Sequence, residues 1–209
     1  HLYVCPGCGH EVPVYNSCRN RHCPACQSLE GARWLAARAE RVLPVGHFHV
    51  VFTLPDELRP LALHNQELVY DLLFDAAAHT LNTLARDVLG AQLGVTIVLH
   101  TWTRELCYHP HVHCVVSSGG LSLDGSRWVR PNDDYLFPAA RMRALFRARV
   151  LAPIGLAYDR GGLQLNGSPG HREDPLAFPR VMRRLWKKKW GVHVDPPLGG
   201  SRNLLAYLG

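Results

Sequence analysis

Apolar residues recur along this chain at two periods, and the switching between them lays out its elements. Leu29, Trp34, Ala37 and Arg41 are spaced near helical period and predict a helix over 28–43, stopped by Pro44. The run His47-Phe48-His49-Val50-Val51-Phe52-Thr53-Leu54, rich in β-branched and aromatic residues and closed by Pro55, predicts a strand. Val69, Leu72, Ala76, Thr80, Leu84 and Val88 fall on one face of a long helix over 65–89, which Gly90 and Gly94 are expected to end. Two more strands follow over 95–102 and 111–116. A hairpin comes next, in which Leu121-Ser122-Leu123 and Arg127-Trp128-Val129 flank Asp124-Gly125, a pair suited to positive φ. Helical spacing returns over 138–151 and 175–189. Residues 190–194 read as a further strand, and 203–208 begin a last helix with Ser201 or Asn203 as its cap.

Strands and helices mix without strict βαβ alternation and one connection is a hairpin. The pattern therefore predicts an α+β fold, an antiparallel-containing sheet with flanking helices on one face. Residues 1–26 stand apart: rich in Cys, Gly, Pro and Asn, they cannot build a core and need a staple. This gives two units, a small module with its linking helix over 1–43 and a main domain over 44–209.

Composition adds bounds. At 209 residues and 47% hydrophobic content the chain has enough apolar surface for a core. It has no run of 18 apolar residues, and cysteines stand where a signal peptide would need an apolar stretch, so a soluble, cytoplasmic protein with no membrane partner is expected. It opens on His1 and stops within a segment that reads as helical, so it is expected to be a fragment.

Charge is uneven. Residues 141–190 hold twelve of the 23 Lys and Arg against three acids, Asp159, Glu173 and Asp174, while the first 140 residues are net acidic. Arg180, Arg183, Arg184, Lys187, Lys188 and Lys189, with Trp186 and Trp190 among them, fit a surface that follows a single-stranded backbone and stacks bases; a plain amphipathic helix covering the sheet accounts for Leu185 and Trp186 equally well.

Five of the seven cysteines lie within residues 5–26. Cys5-Pro6-Gly7-Cys8 and Cys23-Pro24-Ala25-Cys26 are two Cys-x2-Cys knuckles, each able to turn two thiolates toward one point, as tetrahedral zinc requires. The expected set is Cys5, Cys8, Cys23 and Cys26, with Cys18 or His22 as substitutes. In the main domain His109-Pro110-His111-Val112-His113 places His111 and His113 on one face of a strand, where two imidazoles can hold a divalent cation and leave positions open for substrate oxygens. Pro110, which lacks an N–H, suggests that the paired strand starts just after it.

The run Ser17-Cys18-Arg19-Asn20-Arg21-His22-Cys23-Pro24-Ala25-Cys26-Gln27, the segment His49 to Pro55, and His109 to Val116 followed by Gly119-Gly120 closely resemble rolling-circle transposases of the insertion-sequence-91 family. That resemblance implies a zinc-binding domain joined to a histidine-hydrophobic-histidine endonuclease domain, in which His111 and His113 ligate Mg2+ or Mn2+. His100, Glu105 and His109 are the nearby candidates for a third ligand. The segment Leu204 to Gly209 resembles the start of the family's nucleophile helix, which makes Tyr207 the expected nucleophile. The implied function is nicking of single-stranded DNA at transposon ends through a 5′-phosphotyrosine. Two other readings compete on the residues alone. A histidine-triad nucleotide hydrolase would use alternating histidines without metal, and a non-catalytic zinc-stapled DNA-binding protein would use them structurally.

Overall fold

A computed structural model of the chain describes residues 2–13, 24–103, 105–131, 136–165 and 176–198, with the backbone alone over 24–29. Tyr207, Cys18, His22 and Cys23 lie outside the described residues, as do the Cys26 side chain and the expected helix after 203. At the N-terminal end β1 (Leu2–Val4) and β2 (Glu11–Pro13) form a two-stranded antiparallel ribbon. The main sheet contains β3 (His47–Thr53), β4 (Ala91–Trp102), β5 (Tyr108–Ser122) and β7 (Gly191–Leu198) in the order β4-β5-β3-β7, with β6 (Trp128–Val129) paired to β5. Every pairing is antiparallel. The α+β architecture with flanking helices is the one the hydrophobic pattern predicts.

Alternation decides which way the sheet faces. Phe48, Val50 and Phe52 of β3 and Val112, Cys114 and Val116 of β5 are fully buried on one side. There they meet α3 (Gln66–Leu84), α4 (Ala139–Asp159) and α5 (Ala177–Lys187). Helix α3 contributes Val69, Leu73, Ala76, Leu81 and Leu84 at helical spacing. It runs into a π-helical turn, Ala85–Leu89, and stops at Gly90, whose φ of 61° a side chain would strain. Before it, α2 (Arg59–His64) follows Pro55 and a 3-10 turn. Helix α4 runs eight residues beyond its expected end, with Pro153 inside it; packing of Val150, Leu151 and Ile154 into the core outweighs the one backbone bond that the proline removes.

Three further differences are local. Helix α1 (Pro24–Ala39) already includes the four residues ahead of its expected start. Its Trp34 and Leu35, with Val42, pack beside Val98 on Val115, so a helix also covers part of the opposite face, where those two valines need shielding. Gly94 does not end a helix: it lies within β4, where its N–H donates to Ser117 Oγ at 3.0 Å and the register with β5 shifts. Strand β5 begins at Tyr108, ahead of Pro110, because Tyr108 pairs with Trp102 and β4 is irregular between His100 and Trp102, where the ladder can dispense with the proline's missing donor.

The Gly119-Gly120 pair sets how closely the strands approach. A Cβ on Gly120 would fall 2.3 Å from the Gln92 carbonyl oxygen, and one on Gly119, at φ 119°, would fall 2.6 Å from that of Val129. No helix among the described residues is long and apolar enough to cross a membrane.

Candidate metal centre and its basic approach

Strand register assembles this site. His111 and His113 project from β5 on the face opposite the main core, and β4 sets His100 directly across from His111. The His100 ring lies 4.4 Å from that of His113 and 5.6 Å from that of His111, centroid to centroid. One ring nitrogen from each of the three falls within 4.8 Å of the others, and this is the one group among the described residues in which three His, Cys, Asp or Glu side chains converge so that they could hold a metal ion. Of the other third-ligand candidates, Glu105 is exposed in the β4–β5 loop, and the His109 Nδ1 is engaged by the Arg59 guanidinium.

The surroundings keep the His113 imidazole in the ligand state. Burial first, then the proximity of His100, His111 and His49, pushes the His113 imidazole down to about 3. Burial, and then Arg59 and His111, also lowers His109. His111 donates Nδ1–H to the His109 carbonyl at 2.6 Å, which leaves the Nε2 lone pair for a cation. Imidazole nitrogens converging from two strands fit a bound divalent ion.

Behind His113 lies a group that sequence reasoning missed. His49 on β3 is buried, its ring within 5° of parallel to that of His113, with Nε2 2.8 Å from the His113 Nδ1. Its Nδ1 lies 2.9 Å from Oδ2 of Asp195 on β7, and His193 Nε2 lies 2.7 Å from Oδ1 of the same carboxylate. Burial resists ionisation of Asp195 most strongly, yet the hydrogen bonds from His49 and His193 together hold its carboxyl below the ordinary range. In sequence, the available signal is that His47 and His49 alternate with core residues of β3, which puts them on the face of the histidine cluster.

The basic helix is amphipathic. Phe178, Met182 and Leu185 of α5 are buried, while Arg183, Arg184 and Lys187, with Lys188 and Lys189 just after, are exposed. Lys188 donates to both oxygens of Glu57 at 2.8 Å, the largest cause of that carboxyl's lowered pKa. Trp190 corrects the stacking expectation: it is 2% exposed, packs on Phe146 and donates Nε1–H to the Leu185 carbonyl, so it belongs to the core, and only Trp186 of the two faces solvent. A cavity of about 530 Å³ is lined by Asp56, Glu57, Pro60, Arg180, Arg183 and Arg184. Asp56 also pairs with Arg59 at 2.7 Å, and Arg59 in turn reaches His109.

In the N-terminal ribbon Cys5 and Cys8 bracket a tight turn. The Gly9 N–H donates to the Cys5 carbonyl, with Gly9 at φ 71°, and the Cys5 N–H donates to the His10 carbonyl, both at 2.9 Å. The Gly7 N–H, then the Cys8 thiol and N–H, lower the pKa of the Cys5 thiol, as a metal-binding knuckle requires.

Residues 94–209 match the family described as "Putative transposase", and residues 1–54 match the transposase zinc-binding domain. The chain is 43% identical over 211 residues to "Putative transposase y4qJ" of Sinorhizobium fredii, covering all of this chain and 53% of that protein. It is 31% identical to the transposase for insertion sequence element IS801 of Pseudomonas savastanoi pv. phaseolicola, covering 99% of this chain and 49% of that one. The chain thus spans about half the length of these relatives. Among solved structures, a metal-bound conjugative relaxase TrwC in complex with oriT DNA aligns with 77% of this chain and 69% of its own at 17% identity, with a TM-score of 0.45.

Proposed function

The chain belongs to this transposase family and carries its zinc-binding domain, and we propose that it nicks single-stranded DNA at the ends of a mobile element by transesterification onto a tyrosine. The observation that carries the proposal is the convergence of His100, His111 and His113 on one point of the sheet. A divalent cation held there would neutralise the non-bridging oxygens of a scissile phosphate and help orient the leaving group. The nitrogen-only donor set suits Mn2+ better than the harder Mg2+. Zinc in the N-terminal module would be held by Cys5, Cys8, Cys23 and Cys26, or with Cys18 or His22 replacing one of them.

The chain's own residues supply the remaining parts. Tyr207, within the matched family region, is the proposed nucleophile. Its phenol gives up a proton, its oxygen bonds to phosphorus, and the bond to the 3′ oxygen breaks, leaving a 5′-phosphotyrosine and a free 3′-hydroxyl. Arg183 and Arg184, with Lys187, Lys188 and Lys189, hold the strand by its phosphates. The histidine-triad reading leaves both the cysteine module and the basic block without a role.

Incubating the protein with labelled single-stranded transposon-end DNA and Mn2+, then resolving it on a denaturing gel, tests the reading. A covalent adduct that disappears in Tyr207→Phe supports it. An adduct that survives that substitution removes Tyr207 from the mechanism, and metal-independent nucleotide hydrolysis in place of an adduct supports the histidine-triad reading.

A further inference from the structure

We propose that Asp195 and His49 form a positioning relay that fixes which nitrogen His113 offers to the cation and strengthens it as a ligand; this rests on the metal reading of the histidine cluster. The three groups lie in line across three neighbouring strands. The Asp195 carboxylate of β7 is opposite His49 of β3 in register, and His49 reaches diagonally to His113 of β5.

Each hydrogen bond determines the next. An ionised carboxylate only accepts, so His49 must carry its proton on Nδ1 to meet Asp195 Oδ2. With its proton on Nδ1, the His49 ring accepts at Nε2, and the 2.8 Å contact has His113 donating from Nδ1. His113 thereby carries its lone pair on Nε2 rather than on Nδ1. His111 reaches the same tautomer more simply, through the His109 carbonyl. A backbone carbonyl is neutral, whereas Asp195 is charged. Its charge, passed through a buried imidazole, polarises the His113 N–H and makes the opposite nitrogen a better donor. Burial of His49 and His113, each under a tenth exposed, keeps water from replacing either partner. His193 donates to the second carboxylate oxygen and holds Asp195 in the orientation that His49 needs.

The relay predicts a pattern that a general structural role does not. Mn2+ affinity is measured by electron paramagnetic resonance titration of the full chain carrying one zinc, in the absence of DNA. Asp195→Asn keeps the shape and an acceptor but removes the charge, and His49→Phe keeps a ring against His113 but breaks the chain of bonds. Each is expected to weaken Mn2+ binding by about 10–100-fold, the range of outer-shell partners. Because Asp195 acts through His49, adding Asp195→Asn to His49→Phe should weaken binding no further. Asp195→Glu, which restores the charge, should recover part of the affinity lost in Asp195→Asn. Single-stranded DNA binding without Mn2+ should be unchanged in Asp195→Asn, since the relay serves the cation.

Unchanged Mn2+ affinity in Asp195→Asn, or effects of the two substitutions that multiply in the double variant, would overturn the relay while leaving the metal site intact. Failure of the unsubstituted protein to bind Mn2+ would overturn the metal reading and the relay with it.

Discussion

If α5 is the strand-holding surface, its contribution is electrostatic and has a calculable salt signature. Arg183 and Arg184 are exposed, line the cavity, and stand beside a buried row of Phe178, Met182 and Leu185 that fixes the helix in place. Replacing both by alanine removes two cations and leaves the packed face untouched. Each phosphate neutralised on a single strand contributes about 0.7 to the slope of log affinity against log salt. Two contacts account for roughly 1.4, so between about 50 mM and about 200 mM salt the unsubstituted protein should lose roughly sevenfold more affinity than the double variant. Lys188→Ala should change the slope less, because its ammonium is already paired with both Glu57 oxygens and releases fewer counterions on binding. The assay is fluorescence anisotropy with a labelled single-stranded oligonucleotide across that salt range. Equal slopes for the unsubstituted protein and the Arg183→Ala, Arg184→Ala variant would refute the assignment of phosphate contact to α5, whatever happened to absolute affinity.

Two further outcomes follow from the packing and the burial. Phe146→Ala should cost about 3–5 kcal/mol in urea unfolding, since its ring is fully buried between Phe52 and Trp190; a loss under 1 kcal/mol would mean that the joint between α4 and the sheet is not packed this way. Acid should destabilise the protein early: burial lowers His47 and His113, so the unfolded chain takes up protons near pH 6.5 where the folded one does not, and stability falls from there toward about pH 3, the His113 value. His47→Phe should flatten the upper part of that fall in thermal melts across pH, and an unaltered profile would rule out His47 as a contributor.

How much of the site the sequence disclosed depends on how far apart its members lie along the chain. His111 and His113 are legible because period two puts them on one face whatever the strand pairs with. The Asp124-Gly125 turn is legible for the same local reason: Asp124 gathers the Ser122 and Ser126 hydroxyls and the Ser126 N–H, and Gly125 takes φ 72°. The relay is not, because His49 and Asp195 are 146 residues apart and meet only through the registers of β3 with β5 and β7. A one-residue slip in either pairing would place them on opposite faces. Trp190 misled for a related reason. It follows a run of basic residues in sequence, but α5 ends at Lys187, and beyond it the chain turns the indole inward beside Phe146. The same limit applies to α1, whose cover over Val115 and Val98 is set by a contact between the N-terminal module and the sheet rather than by any local period.

The third corner of the cluster shows that limit at its sharpest and supplies a decisive substitution. Sequence proximity left His100, Glu105 and His109 open. Pairing separates them, since His100 stands opposite His111 as the last pair before the ladder's irregularity, while Glu105 lies in the loop beyond it and His109 is held by Arg59. A direct ligand should matter more than a residue acting through one, so His100→Ala should weaken Mn2+ binding beyond the 10–100-fold range expected of outer-shell partners. Glu105→Ala should leave Mn2+ affinity within error. The contrast is read in the same resonance titration without DNA, which separates ligation from any loss of strand binding. Should Glu105→Ala abolish Mn2+ binding while His100→Ala retains it, the β4–β5 loop would have to fold over the cluster, and the register that places His100 opposite His111 would not be the one that binds the cation.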